Sequence, residues 1–336
     1  MGRPDPPSPP AAAAASVEPA AAPPPPPADQ GAAAELLRTA DRVHALPCGR
    51  VLSYVDCGDA SSADCVLMMA LALHAAAKDL RLRLVAPDRP GYGGSTPAPG
   101  RAVADFVADA AHLLAALGVA RFGVLGSSAG SMYALALTRD PETRSKIAGR
   151  VTLLPPWIPP GSLPPGSKAP WSLSLLCYAP RPATALFVGL SGALVARRLR
   201  GEGARVADVM TRSKPHEVAA FTEDPANDAF YRAMISEWAR PGCASATADE
   251  MLLCAEAGPG RRLGFSYMSD LPEAGVRVFA GSEDALVAAE AVRAWAEAAG
   301  GGGRVELVEV EGGTHDGMVH THKRAALAAL ARDLRA

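Results

Sequence analysis

The 336-residue chain carries 33 basic and 35 acidic side chains, which gives a formal net charge of −2 at pH 7. This balance provides no general attraction to nucleic acid, and no nucleic-acid-binding motif occurs, so we expect no nucleic-acid partner. The nearest candidate for a membrane span, at 171–196, is interrupted by Pro180, Arg181 and Pro182, so we predict no transmembrane helix. The six cysteines form no C-x-x-C pair, which is typical of reduced thiols in an intracellular, cytoplasmic protein, although their even number also allows disulfides.

The first segment, residues 1–40, is a predicted tail. Its first part is nearly all proline and alanine, with an unbroken proline run from Pro23 to Pro27. Such a composition cannot build a packed core, so we expect disorder. An organelle transit peptide is the alternative interpretation, although Arg3 is the only basic residue before Arg38.

Beyond the tail, predicted strands and helices alternate along the chain. The predicted strands cover 50–56, 65–69, 82–86, 122–125, 150–154, 276–280 and 304–310. The helices between and after them cover 71–80, 102–117, 132–137, 288–299 and 322–334. This alternation predicts an α/β fold with a mostly parallel central sheet and helices on both faces.

A purely helical block interrupts this alternation. Helical segments are predicted at 183–199, 214–222, 225–240 and 246–256, and no strand is predicted among them. The sequence therefore predicts a core formed by 41–156 and 267–336, with a helical cap or lid insertion at 157–266.

One stretch, Gly126-Ser127-Ser128-Ala129-Gly130, follows a predicted strand and precedes a predicted helix. A G-x-S-x-G turn in this setting holds its central serine in a strained conformation with the hydroxyl exposed. Ser128 is therefore the candidate nucleophile, and the backbone N–H of Ala129 is the candidate oxyanion donor. Ser127 is a candidate for contact with the substrate.

An activated serine needs a base to accept its proton and an acid to orient that base. His315 follows the strand at 304–310, and Asp284 follows the strand at 276–280. Both side chains would lie at the carboxyl edge of a parallel sheet, where open α/β sheets keep their sites. The neighbouring Glu283 is an alternative acid.

His315, Asp316, His320 and His322 can also be interpreted as a metal-binding cluster. Surface histidines at the start of a helix explain the same spacing more simply, and we expect no metal.

The chain resembles the α/β-hydrolase fold superfamily, specifically serine hydrolases with a cap domain, from about residue 41 to its end. The resemblance rests on the turn at 126–130, the DRPGYGGS turn at 88–95, G-x-x-D-x-x-V at 281–287 and G-x-H at 313–315. It implies a Ser128, Asp284 and His315 triad that hydrolyses an ester, amide or related acyl bond, with no metal and no organic cofactor.

The resemblance fails where that fold usually supplies its first oxyanion donor from a His-Gly loop after the second of these strands. Met69 here runs directly into Ala70-Leu71-Ala72, and no glycine occurs between Gly58 and Gly91. The loop is shortened either by a true deletion or by a missing exon in the translated gene. The leading interpretation is a carboxylesterase or lipase-like enzyme, and the alternative is a catalytically impaired binding protein of the same fold.

The segment between Glu142 and Glu202 contains eight basic residues and no acid. We hypothesise that this part of the cap, including Trp157, meets a lipidic or anionic substrate or a membrane surface. The alternative is that its apolar residues pack on the core while its bases are solvated. A proline-releasing aminopeptidase is a further alternative, but it would need an acidic pocket, which this segment does not offer.

Overall fold

The structure, a computed structural model, describes most of the chain outside the tail. The described residues are 42–68, 73–166, 179–199, 206–207, 214–223, 225–238, 240, 242–255, 263–267, 269–299 and 303–336. The predicted tail at 1–40, the shortened loop at 69–72 and the apolar residues of the cap at 171–178 therefore lie outside the described residues.

An eight-stranded sheet forms the centre of the fold. Its strands are β1 (Arg42–Ala45), β2 (Val51–Gly58), β3 (Cys65–Met68), β4 (Arg83–Pro87), β5 (Phe122–Ser128), β6 (Val151–Pro156), β7 (Val276–Gly281) and β8 (Val305–Val310). They lie in the order β1-β2-β4-β3-β5-β6-β7-β8. Strands β1 and β2 are antiparallel to their neighbours, and the rest pair in parallel. The predicted mostly parallel sheet is confirmed.

Helices cover both faces of the sheet. The described α-helices are α1 (His74–Asp79), α2 (Val103–Ala116), α3 (Gly130–Leu137), α4 (Pro141–Arg144), α5 (Arg181–Arg198), α6 (Pro215–Thr222), α7 (Pro225–Trp238), α8 (Cys243–Cys254), α9 (Ala289–Ala299) and α10 (Gly317–Arg335). Helices α2, α3 and α9 share one apolar cluster with the sheet, while α1 and α10 share the other. The sheet is thus buried on both faces, as is typical of a mostly parallel sheet.

Helices α5 to α8 follow β6 and precede β7, so they form a helical insertion between two strands that are neighbours in the sheet. Part of this insertion has its own apolar cluster, which includes Phe221, Tyr231 and Ile235. Helix α8 instead packs on the main core through Leu253. Of the described helices, none is both long enough and apolar enough to cross a membrane.

A buried ionic cluster also joins α8 to the core. The carboxylate of Glu250 accepts hydrogen bonds from Arg101 Nη2 at 2.7 Å and from the Tyr133 hydroxyl at 2.8 Å. Arg89 Nη1 lies 3.3 Å from the second carboxylate oxygen of Glu250. Burial, together with the negative charge of Glu250, raises the pKa of Tyr133 well above its usual value. The hydroxyl therefore stays protonated and remains a donor to Glu250.

Several element boundaries differ from the sequence-based expectations. Strand β5 continues through Ser128 rather than ending at Leu125, with a register shift against β6 between Gly126 and Ser128. Helix α10 begins at Gly317, five residues before the expected start. The sequence did not predict β1, a short and mostly exposed edge strand.

Candidate active site

The turn between β5 and α3 holds Ser128 in a conformation that L-residues rarely adopt. Its backbone φ is 49°, one of two positive values among the described non-glycine residues. A Cβ at Gly126 would lie 2.8 Å from the Ala134 side chain and 2.9 Å from the Gly130 carbonyl oxygen. Only glycine fits there, because those distances are shorter than real Cβ contacts. The strain at Ser128 is thus imposed by a close strand-to-helix packing.

The structure brings Ser128, His315 and Asp284 together. The Ser128 Oγ lies 2.8 Å from His315 Nε2. The opposite ring nitrogen, Nδ1, lies 2.7 Å from Asp284 Oδ2. His315 and Asp284 are 6 % and 7 % exposed. The three side chains form one continuous line of hydrogen bonds from a buried carboxylate to a less buried hydroxyl.

Asp284 is itself held by its own loop. Its Oδ1 accepts hydrogen bonds from the backbone N–H groups of Leu286 and Val287, at 2.8 and 2.9 Å. This leaves Oδ2 for the imidazole of His315. A carboxylate fixed in this way favours the tautomer with its hydrogen on Nδ1, so that Nε2 can accept the proton of Ser128.

The loops that carry the acid and the base are linked to each other. The Glu283 N–H donates to the Gly313 carbonyl oxygen at 3.0 Å, and the Gly312 N–H donates to the Ser282 hydroxyl at 2.9 Å. A Cβ at Gly281 would lie 2.2 Å from the Gly313 oxygen, so the loops touch through backbone. Backbone contacts therefore hold the loops of His315 and Asp284 together, whereas Ser128 lies at the end of β5.

Ala129, the expected oxyanion donor, directly follows Ser128 and occupies the N-cap position of α3. The N-terminus of a helix carries unsatisfied N–H groups and a partial positive charge, which suit a developing oxyanion. A second donor, if it came from the shortened loop at 69–72, would lie outside the described residues.

The remaining predicted site residues have the following positions. Ser127 is half-buried in β5. Trp157 is 6 % exposed, and its indole N–H donates to the Cys254 carbonyl oxygen at 2.9 Å. Its backbone N–H donates to the Ser131 hydroxyl at 3.2 Å. Trp157 thus joins the end of β6 to α3 and α8. Glu283, the alternative acid, is ion-paired with Lys214.

The histidines beyond His315 have other surroundings. The His320 ring lies among aromatic side chains, with its centroid 4.8 Å from that of Phe221 and 5.2 Å from that of Tyr231. His322 Nδ1 lies 2.8 Å from the Thr321 hydroxyl. Burial lowers the pKa of His322.

One residue near this site gives no signal in the sequence. Glu217, in α6 of the helical insertion, is completely buried. Its carboxylate accepts hydrogen bonds from the backbone N–H and the hydroxyl of Thr314, the residue before His315. A single charged residue in an amphipathic helix gives no sequence signal for such a contact, because the two residues are far apart in the chain.

A serine on a sharp strand-to-helix turn, at the carboxyl edge of a mostly parallel sheet, is the arrangement of hydrolases with an α/β fold. Sequence comparison agrees with this class. The chain belongs to the alpha/beta hydrolase family, whose model matches residues 43–330. The expected fold class is thereby confirmed. Among curated protein sequences, none matches the chain.

Solved structures similar to this chain share its fold at low sequence identity. A thermophilic esterase from Thermogutta terrifontis is 20% identical, with 88% of this chain and 97% of the esterase covered and a TM-score of 0.57. An epoxide hydrolase is 18% identical, with coverages of 86% and 96% and a TM-score of 0.57. A bacterial membrane phospholipase A is 16% identical, with coverages of 91% and 90% and a TM-score of 0.59.

Proposed function

We propose that the protein is a serine hydrolase that cleaves an ester or related acyl bond, with carboxylesterase or lipase-like specificity. The observation that carries this proposal is the line of hydrogen bonds from Asp284 through His315 to Ser128. Family membership and an esterase among the similar structures support the same reaction class. The strained backbone of Ser128 adds support, because such strain at a strand-to-helix turn is typical of a nucleophile.

In the proposed reaction, Ser128 Oγ attacks the carbonyl carbon of the substrate while His315 Nε2 accepts the hydroxyl proton. The Ala129 N–H stabilises the negative charge on the tetrahedral intermediate. His315 then donates its proton to the leaving alcohol, which leaves an acyl group on Ser128. A water molecule, deprotonated by His315, hydrolyses this ester and restores the free hydroxyl.

The alternative proposal is a ligand-binding protein that keeps the fold but has lost turnover. It is supported by the shortened loop after β3, because losing one oxyanion donor typically costs about 10²- to 10³-fold in turnover. The two proposals differ in whether Ser128 reacts with an acylating or phosphonylating reagent.

Labelling with a fluorophosphonate probe tests the proposal without knowledge of the substrate. We expect wild-type protein to be labelled and Ser128→Ala and His315→Ala proteins to remain unlabelled. Ser145→Ala, which removes an exposed hydroxyl elsewhere, is the matched control and should label as wild type does. A folded wild-type protein that stays unlabelled would refute the hydrolase and favour the binding protein.

Substrate panels then separate the enzyme classes. We expect hydrolysis of p-nitrophenyl esters. The acyl chain length that is hydrolysed fastest would report the size of the acyl-binding pocket. Release of p-nitroaniline from a prolyl anilide, without ester hydrolysis, would instead identify a proline-releasing aminopeptidase.

A specific feature of α5 favours a lipidic substrate at a membrane surface. Its large apolar side chains point outward, being 54–65% exposed at Leu186, Phe187, Leu190 and Leu194. Its buried positions are small: Thr184 and Gly192. This is the reverse of the usual pattern, in which large apolar residues face the core. Exposed apolar surface concentrated on one helix face marks an interaction site.

The positive charge of the segment between Glu142 and Glu202 contributes less to membrane contact than its sequence suggested. Lys146, Arg150 and Arg181 are paired with Glu142, Glu306 and Asp249 respectively. The exposed bases at the end of α5 are Arg197 and Arg198. An exposed base near an anionic membrane contributes about 1 kcal/mol, whereas burying one large apolar side chain contributes about 1.5–3 kcal/mol. Apolar insertion, assisted by these arginines, is therefore the proposed mode of peripheral membrane contact.

Vesicle flotation tests this contact. We expect wild-type protein to float at low salt with phosphatidylcholine–phosphatidylglycerol vesicles, and a Phe187→Ser, Leu190→Ser double variant to stay in the dense fraction. Val43→Ser removes a similarly exposed apolar residue from β1 and is the matched control. Absence of wild-type flotation would refute the membrane contact. Self-association that the double variant abolishes, measured by light scattering, would assign the surface to a second copy.

A further inference from the structure

The carboxylate of Glu217 reaches from the helical insertion into the loop that carries His315. Its Oε1 accepts the Thr314 backbone N–H at 2.8 Å. The Thr314 hydroxyl lies 2.6 Å from both carboxylate oxygens, so its hydrogen is donated to one of them. Glu217 is 0 % exposed. A buried carboxylate is costly unless it is hydrogen-bonded, and among the described residues both donors to Glu217 belong to Thr314, the residue before His315.

The start of α10 is shaped to admit this carboxylate. A Cβ at Gly317 would lie 1.9 Å from the carboxyl carbon of Glu217 and 2.0 Å from Oε1. Any side chain at Gly317 would therefore expel Glu217. The Gly317 N–H donates to the Thr314 hydroxyl at 3.2 Å, so the same hydroxyl that contacts Glu217 also caps the first turn of α10. Thr314, His315 and the helix start thus form one hydrogen-bonded turn around the carboxylate.

Neighbouring contacts fix α6 in the orientation that this bond needs. Phe221, one turn after Glu217, packs against His320 of α10 and Tyr231 of α7. At the other end of α6, Lys214 pairs with Glu283 in the acid loop. That ion pair is solvent-exposed on the Glu283 side, so its contribution is small. The buried bond to Thr314 is therefore the main polar contact between α6 and the catalytic loops among the described residues.

We infer that Glu217 is a positioning residue for His315, so that a carboxylate of the helical insertion holds the base of the triad in place. The inference rests on the proposed hydrolase function, in which His315 must lie within hydrogen-bond reach of Ser128. Without Glu217, the buried Thr314 N–H and hydroxyl lose their acceptor, and the turn must shift to find another. A displacement of about 1 Å at a catalytic group can cost roughly 10²-fold in rate.

The test uses the full-length protein and four variants: Glu217→Ala, Thr314→Val, Thr314→Ser and the control Glu223→Ala. Glu223 is exposed at the end of the same helix. The first readout is the second-order rate of fluorophosphonate labelling, together with kcat and KM for a p-nitrophenyl ester. The second readout is deuterium uptake by the backbone amides of 312–318, which reports the loop whether or not Ser128 reacts.

We expect Glu217→Ala to lower the labelling rate and kcat by at least about tenfold, with KM within about twofold, because the bond orients the base and does not touch substrate. Thr314→Val should lose part of the rate and Thr314→Ser should restore it, since serine keeps the hydroxyl. Glu223→Ala should match wild type. Of the two variants outside this loop, Glu217→Ala should raise the deuterium uptake at 312–318 and Glu223→Ala should not.

A folded Glu217→Ala protein with wild-type labelling, kcat and uptake would overturn the inference. A change in KM alone would also overturn it, because it would make Glu217 part of the substrate site. If wild-type protein is never labelled while Glu217→Ala still raises the uptake of 312–318, the hydrolase proposal fails and the positioning contact stands.

Discussion

Replacing Asp284 by asparagine separates its orienting role from its structural role. The two side chains have the same shape, so the variant differs only in the donor pattern of the group that faces His315. In the wild-type protein, Asp284 Oδ1 accepts two backbone N–H groups and Oδ2 faces His315 Nδ1. The asparagine amide must place its oxygen toward one side and its NH₂ toward the other.

The structure determines which orientation the asparagine takes. If the NH₂ group faced Leu286 and Val287, two backbone N–H donors would lose their acceptor, at about 1–3 kcal/mol for the buried one at Val287. The amide oxygen therefore takes the place of Oδ1, and the NH₂ group donates to His315 Nδ1. The imidazole then carries its hydrogen on Nε2, which faces Ser128 and can no longer accept the serine proton.

The expected result is a loss of about 10³- to 10⁴-fold in kcat for ester hydrolysis, equivalent to roughly 4–5.5 kcal/mol of transition-state stabilisation. The Tm should change by only a few degrees, because the backbone hydrogen bonds of the loop persist. The assay is initial-rate hydrolysis of p-nitrophenyl acetate, with fluorophosphonate labelling as the parallel measure. Glu283→Gln is the matched control and should stay within about twofold of wild type, because its side chain pairs only at the surface.

Two outcomes would refute this reasoning. A folded Asp284→Asn protein that keeps more than about a tenth of the wild-type rate would show that Asp284 does not select the tautomer of His315. A large loss in the Glu283→Gln control would identify Glu283 as the functional acid.

Three other perturbations test the packing of the fold. Gly126→Ala places a Cβ 2.8 Å from Ala134, and we expect a loss of about 1–3 kcal/mol in thermal unfolding; an unchanged Tm would contradict the tight turn. Glu250→Ala leaves the buried Arg101 without its carboxylate, which should cost about 3–5 kcal/mol in urea unfolding, and a loss under about 1 kcal/mol would refute the buried pair. Burial raises the pKa of the Cys57 thiol to about 12, above the pKa of about 8.5 of an unfolded thiol. The contribution of the protonated thiol to the free energy of unfolding is therefore complete below pH 8.5 and is lost as the pH rises toward 12. From pH 8.5 to 10 the free energy of unfolding of wild type should fall by about 1.6 kcal/mol more than that of Cys57→Ala, and equal losses in urea unfolding would contradict this.

The sequence was sufficient for the architecture because most of the buried strands are short, largely apolar runs between turn residues. It was weaker at the turn around Ser128, since Gly126 and Ser127 have low strand propensity although β5 continues through them. The start of α10 was missed for a related reason. Glycine rarely opens a predicted helix, but Gly317 is required there by the carboxylate of Glu217.

Contacts between distant elements explain what the sequence could not provide. The pairing of Glu217 with Thr314 depends on how α6 docks on α10, and no local pattern encodes that docking. The outward position of Phe187 and Leu190 is similar, because the sequence of α5 alone does not indicate which face meets the rest of the protein. The periodicity of apolar residues predicts the helices and strands, whereas their packing determines which faces stay exposed.

The pairing of β6 with β7 affects how much the helical insertion between them can vary in length. Val151 pairs with Val276, although the whole helical insertion lies between them in the chain. Doubling the length of a flexible connection adds only about 0.6 kcal/mol of closure entropy, so the sheet tolerates insertions of very different length at this point. The insertion can therefore be exchanged while the sheet stays intact. The exchange has one constraint: a new insertion must offer an acceptor to Thr314, or Thr314 must change with it.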